Sequence, residues 1–192
     1  MYYYPVSLVF GLFAMCCIII SYFGKAKTHF MVFQMLAFCG YSLSYLFIEQ
    51  FFAMASVLLA VVRVAVFFLY EKKDKAVPMW LQTLFAVATL ICYIVINPII
   101  LKQTRAIDIL LVVSNILYTY CFGLRNIKAV RYFMLAPTSL TILYNIFLPA
   151  TLFVILSYGF ELLSDVLSIF KYYVFGKTKK PKDAKEKLDE ND

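Results

Sequence analysis

The sequence predicts an all-α membrane protein of seven transmembrane helices, and three observations carry that expectation. Hydrophobic residues make up 64% of the 192-residue chain and charged residues only 15%, where a soluble domain carries roughly a quarter charged. A soluble domain of this size leaves much of its surface in water and could not hide so much apolar area. The apolar residues fall into runs of about 20, the length that crosses a bilayer core as a helix.

Seven segments qualify in order: 5–23, 30–48, 51–70, 79–97, 107–123, 132–148 and 151–172. The first follows Tyr2, Tyr3 and Tyr4, which suit an interfacial aromatic belt. It has no basic segment before it and no small-residue cleavage site after Phe23, so a retained helix is expected rather than a signal peptide. The second and third are joined by the tight turn Glu49-Gln50, and the sixth and seventh by Pro149-Ala150. Fusing either pair would give about 40 apolar residues, too many for one span. The fifth and sixth are the shortest, at about 17 residues each. Residues 1–175 form one transmembrane domain, and 176–192 a lysine- and acid-rich tail without apolar periodicity, expected to be disordered.

The net charge of +7 does not point to nucleic acid, because the basic residues gather in alternate loops. Lys25, Lys27, Lys72, Lys73, Lys75, Arg125, Lys128, Arg131, Lys171 and the six tail lysines share one side. Only Lys102 and Arg105 fall on the other, and Arg63 lies inside a helix. The basic side is cytoplasmic by the positive-inside rule, which puts the N-terminus outside and the C-terminus in the cytoplasm. Cys16, Cys17, Cys39, Cys92 and Cys121 all lie in apolar runs with no paired spacing, and the one histidine, His29, is in a loop. Neither a metal site, a cofactor nor a catalytic constellation is expected, so an enzyme is the least favoured class.

A repeat runs through the chain. Met35-Leu36-Ala37 recurs as Met134-Leu135-Ala136, and the same offset sets Tyr45 on Tyr144 and the two tight turns on each other. Helices one to three then repeat as five to seven. The fourth is a linker that makes the halves parallel, a three-plus-one-three plan of the kind found in small sugar transporters.

Charged groups within a membrane are costly, so each is a functional candidate. Arg63 lies in the third helix, and Glu161 and Asp165 lie at i, i+4 on one face of the seventh. One reading makes them the walls of a polar cavity between the halves, with Arg63 anchoring an anionic group and Glu161 carrying a proton. The other makes Arg63 snorkel and pair with an acid as interhelical glue. Asn115, Tyr144, Asn145 and Gln34 lie in the fifth, sixth and second helices, with Asp108 at the outer mouth of the fifth; each suits an interhelical bond or a solute contact. Pro137 is expected to kink the sixth helix.

The chain resembles the YgjV-type bacterial inner-membrane proteins over nearly its whole membrane portion. The resemblance rests on Ser21-Tyr22-Phe23-Gly24-Lys25-Ala26-Lys27 with Gln34, and on the run from Arg63 through Phe67-Phe68-Leu69-Tyr70-Glu71-Lys72-Lys73. Tyr144-Asn145 and Glu161 with Ser164 complete it. That family is in turn distantly similar to the PQ-loop (SWEET-like) transporters, although the Pro-Gln pair of that group is missing and Leu140-Thr141 stands where a tryptophan is expected. The leading expectation is a small-solute transporter of the cytoplasmic membrane; its site between the halves, contacted by Arg63, Asn115, Tyr144, Asn145, Glu161 and Asp165, is read from the intramembrane polar residues. Its partners would be the bilayer, a small polar or anionic solute and a second copy of the chain. A non-transporting receptor or assembly partner is the other class the sequence leaves open.

Overall fold

The computed structural model describes residues 4–23, 27–100, 105–147 and 152–170, so the Pro149-Ala150 turn, Lys25, Lys102, Lys171, Tyr172 and the tail lie outside the described residues. Within them the chain forms seven α-helices: α1 (Tyr4–Phe23), α2 (Lys27–Phe47), α3 (Phe51–Lys72), α4 (Met79–Ile94), α5 (Asp108–Gly123), α6 (Ile127–Phe147) and α7 (Leu152–Phe170). Four stretches are long and apolar enough to cross a membrane by length and composition among the described residues: α1, α2, α3, and α4 together with its continuation to Asn97; α5 is a shorter apolar helix.

Two boundaries differ from the apolar pattern. Helices α2 and α6 begin at Lys27 and Ile127, earlier than the first residues of their apolar runs, so α6 is 21 residues long rather than short. Each extra stretch carries basic residues that find partners. Lys27 Nζ pairs with Glu71 Oε2 at 2.7 Å, and the Arg131 guanidinium lies over the Tyr22 ring at 5.1 Å. Asn126 caps α6, its Oδ1 accepting the Lys128 N–H at 3.0 Å. At its far end α4 passes into a π-helical turn, Val95–Ile100. Pro98 offers no N–H for the α-type bond to Ile94, and the widened turn accommodates that loss.

Helices α2 and α3 end in the same device. After α2 the Gln50 N–H bonds to the Tyr45 carbonyl and the Glu49 N–H to that of Leu46, with Glu49 at φ 60°. After α3 the Lys75 and Asp74 N–H groups reach Tyr70 and Glu71 in the same way, with Asp74 at φ 50°. These are Schellman caps whose left-handed residue is an acid instead of the usual glycine. The first explains how the chain reverses within Glu49-Gln50.

Loop contacts establish that the helices alternate in direction. Arg125 reaches Asp74 Oδ1 at 2.8 Å, joining the α5–α6 and α3–α4 loops at one end. Arg105 reaches Gln50 Oε1 at 3.4 Å, joining the α4–α5 and α2–α3 connections at the other. In packing, α2 lies between α1 and α3, and α6 between α5 and α7. Contacts of α1 with α7 and of α3 with α5 close these six into a ring, and α4 lies against α3 and α5.

Polar groups share the interior with a hydrophobic core that includes Phe30, Val64, Phe67 and Phe122, and large apolar side chains also cover the outside. Gln34, Arg63, Asn145, Glu161 and Asp165 are buried, while Trp80, Phe133, Ile146 and Phe170 are more than half exposed. The interior face of α1 is a stripe of Ser7, Gly11, Ala14, Ile18 and Ser21, spaced four and three apart. Small residues at that spacing let α2 approach closely. A Cβ added to Gly40 would lie 3.0 Å from Ala14 Cβ and 3.1 Å from the Phe10 carbonyl oxygen.

Candidate functional site

The ring of helices encloses three polar groupings, and the inner one centres on α7. Ser157, Glu161 and Asp165 recur every four residues, so one helical face presents all three to the interior. Two of them meet α2 and the third meets α1. Tyr41 of α2 donates to Ser157 Oγ at 2.7 Å, Gln34 of α2 donates to Glu161 Oε1 at 3.2 Å, and Tyr22 of α1 donates to Asp165 Oδ1 at 3.1 Å. Gln34 and Asp165 are 0% exposed and Glu161 1%. Even so, Glu161 Oε2, Asp165 Oδ2 and Gln34 Oε1 are buried without a hydrogen-bond partner. Such orphans are rare in native interiors and call for an explanation.

Arg63 forms the second grouping. It does not pair with either acid. Its Nη1 donates to the Asn115 carbonyl and to Thr119 Oγ1, both at 2.7 Å, which bridges α3 to α5. Its Nε and Nη2 have no partner, although the residue is 2% exposed. Tyr118 is within electrostatic range of Arg63, Glu161 and Asp165. The Tyr118 hydroxyl is held by Thr138 at 2.9 Å.

The third grouping closes the opposite end of the ring. Tyr45 donates to Asn145 Oδ1 at 2.6 Å, and Asn145 Nδ2 donates to the Thr141 carbonyl at 2.8 Å. Asn97, from the π-turn, donates to Asp108 Oδ2 at 2.8 Å, and the Tyr144 hydroxyl also interacts with Asp108. Above this layer opens a cleft of about 200 Å³ lined by Glu49, Gln50, Phe52, Asn97, Arg105 and Asp108.

The six residues singled out in the sequence therefore do not meet at one point. Glu161 and Asp165 stand together, Arg63 meets Asn115 through the latter's main chain, and Tyr144 with Asn145 belongs to the far layer. The Asn115 side-chain amide instead caps the Leu111 carbonyl at 3.1 Å. Pro137 sits inside α6, and its carbonyl accepts the Ser114 hydroxyl at 2.7 Å.

Residues 6–176 match the family model Imp-YgjV, whose description is bacterial inner membrane protein. The chain belongs to this family. No curated protein and no solved structure matches it. Membership in an inner-membrane family gives the exposed apolar faces their solvent, the lipid bilayer.

Several contributors escaped the sequence reading. Tyr41 and Tyr118 are not singled out there, Tyr22 stands only among the residues of the family resemblance, and Asn97 only as the last residue of the fourth apolar run. The spacing of Ser157 with Glu161 and Asp165, and of Gln34 with Tyr41 and Tyr45, is a signal that would have found two of the interior faces.

Proposed function

We propose that the chain is a small-solute transporter of the bacterial cytoplasmic membrane, with its site between two three-helix halves. The observation that carries this reading is the set of interior polar atoms without partners. Structural glue satisfies both members of each pair, as Tyr45 with Asn145 and Tyr118 with Thr138 do. Arg63 instead keeps Nε and Nη2 unpaired while two carboxylate oxygens, on Glu161 and Asp165, stay unpaired. Leaving such groups empty-handed in a membrane interior costs several kcal/mol, which a polar ligand offsets. Arg63 then takes an anionic group of the solute, and Glu161 and Asp165 govern its counter-charge.

In this reading all seven helices span the membrane as three plus one plus three. The packing supports it: α1–α2–α3 and α5–α6–α7 have the same neighbour order, and α1·α7 corresponds to α5·α3 under a two-fold exchange. Hydroxyl pairs join the first and second helix of each half, Ser7 with Ser44 at 2.8 Å and Ser114 with Thr141 at 2.6 Å. The end bearing Lys27, Asp74 and Arg125 is the basic end and faces the cytoplasm. Membrane-impermeant thiol labelling of Lys75→Cys in a cysteine-free background checks this, because only permeabilised cells should react.

The test of function is uptake of a defined panel of small carboxylates and phosphates by proteoliposomes, read by mass spectrometry. At least one member should equilibrate faster than in protein-free vesicles, and Arg63→Met should abolish the difference. If no member does so with folded protein, transport fails. A non-transporting receptor or assembly partner, held together by the satisfied interhelical bonds, then takes its place.

A further inference from the structure

We propose that Gln34, Glu161 and Asp165 form a binding site for one small alkali-metal cation, held by Gln34 Oε1, Glu161 Oε2 and Asp165 Oδ2. The site lies in the interior assigned above to transport and would make that transport ion-coupled, but binding of the ion does not require that the chain transport anything.

All three are oxygen acceptors, on residues no more than 1% exposed, and they come from adjoining positions. Gln34 is bonded to Glu161 through its nitrogen and keeps its oxygen without a donor, and Glu161 and Asp165 are one turn apart on the same face of α7. Hard cations take oxygen ligands of this kind, carboxylates and side-chain amide carbonyls together. A proton is a poorer answer, since one proton links at most two acceptors and leaves the third without a donor. The second oxygen of each acid is already fixed, Oε1 by Gln34 and Oδ1 by Tyr22, so the free oxygens are pre-oriented.

Charge selects a monovalent ion. Around the site stand Tyr22, Tyr41, Tyr118 and Tyr158, which are neutral, and Arg131, whose guanidinium lies over Tyr22 and acts on Asp165. Two carboxylates against Arg131 leave one negative charge, which one monovalent cation cancels and a divalent one would overshoot. Arg63, bound to α5, keeps its own charge for an anion, so a cation and an anionic solute loaded together leave the interior balanced.

The experiment is the melting temperature of the purified full chain in detergent at fixed pH and ionic strength. NaCl, KCl and LiCl are each titrated against N-methylglucamine chloride, and equilibrium binding of radioactive Na⁺ is measured beside them. One alkali ion should raise the melting temperature saturably above N-methylglucamine. Glu161→Gln should abolish the rise. Tyr22→Phe keeps the ring and loses only the hydroxyl that positions Asp165, and should move the half-saturating concentration up by about 10- to 100-fold. Tyr22→Phe decides the matter if Glu161→Gln does not fold. Identical melting in all four salts overturns the proposal, as does an ion response that both variants retain. Solute-induced stabilisation in N-methylglucamine buffer reads the transport proposal separately, so either can fail while the other stands.

Discussion

Arg63 carries a full positive charge among helices and spends only one of its nitrogens on the protein. Its removal need not disturb the groups it touches, because the Thr119 hydroxyl donates to the Asn115 carbonyl at 2.8 Å whether or not the guanidinium is there. Arg63→Met preserves most of the side chain's volume and removes a buried charge that lacks an acidic partner. Its stability should therefore stay within about 1 kcal/mol of the wild type or rise, as happens when buried ions give way to apolar residues of similar size. Thermal melting in detergent checks this. A loss of about 3 kcal/mol or more is the mark of a broken buried pair and would make Arg63 structural. At this scale the sequence was informative about which residues are costly in a membrane, and less so about their partners. Partner choice depends on helix rotation, and Arg63 turns towards α5 where the acids were the electrostatic favourites.

Helix boundaries followed the apolar runs except where a specific local interaction extended or widened the helix. Lys27 and Arg131 belong to helices because Glu71 and the Tyr22 ring receive their charges, and no hydropathy pattern contains that information. The tight turn after α2 was legible as a short polar interruption, but its Schellman geometry with Glu49 in the left-handed region was not. The close packing of α1 on α2 gives the clearest prediction for an element. Gly40→Ala puts a methyl group 3.0 Å from both Ala14 Cβ and Phe13 Cδ1 and should cost about 1–3 kcal/mol by overpacking. Gly159→Ala, in α7 with nothing within 4 Å of its added Cβ, should be neutral or stabilising by up to about 1 kcal/mol. Equal melting temperatures for the two variants would mean that the α1–α2 contact is looser than these distances imply.

As a whole, the molecule is a ring of six helices with polar atoms inside and apolar side chains outside, and α4 placed against one side. That much follows from composition, since a chain with 64% hydrophobic residues must turn many of them to lipid and keep the few charges that enter its helices away from it. The division of the interior into an inner acid group, an Arg63 group and a far layer of Tyr45, Asn145, Tyr144 and Asp108 did not follow. It depends on which faces of α2, α5, α6 and α7 meet, and a single sequence fixes those faces only loosely. The central claim is that the unpartnered interior atoms are a binding site and not glue. The most direct measurement is the melting temperature of the purified protein across a panel of small anionic and neutral metabolites, for the wild type beside Arg63→Met and Glu161→Gln. A ligand that binds only the folded state raises the melting temperature as its concentration passes its dissociation constant. The account predicts that one class of anionic solute stabilises the wild type and that Arg63→Met, though folded, does not respond. A wild type that no solute stabilises, with both variants melting well below it, would contradict the account and make these charges part of the scaffold.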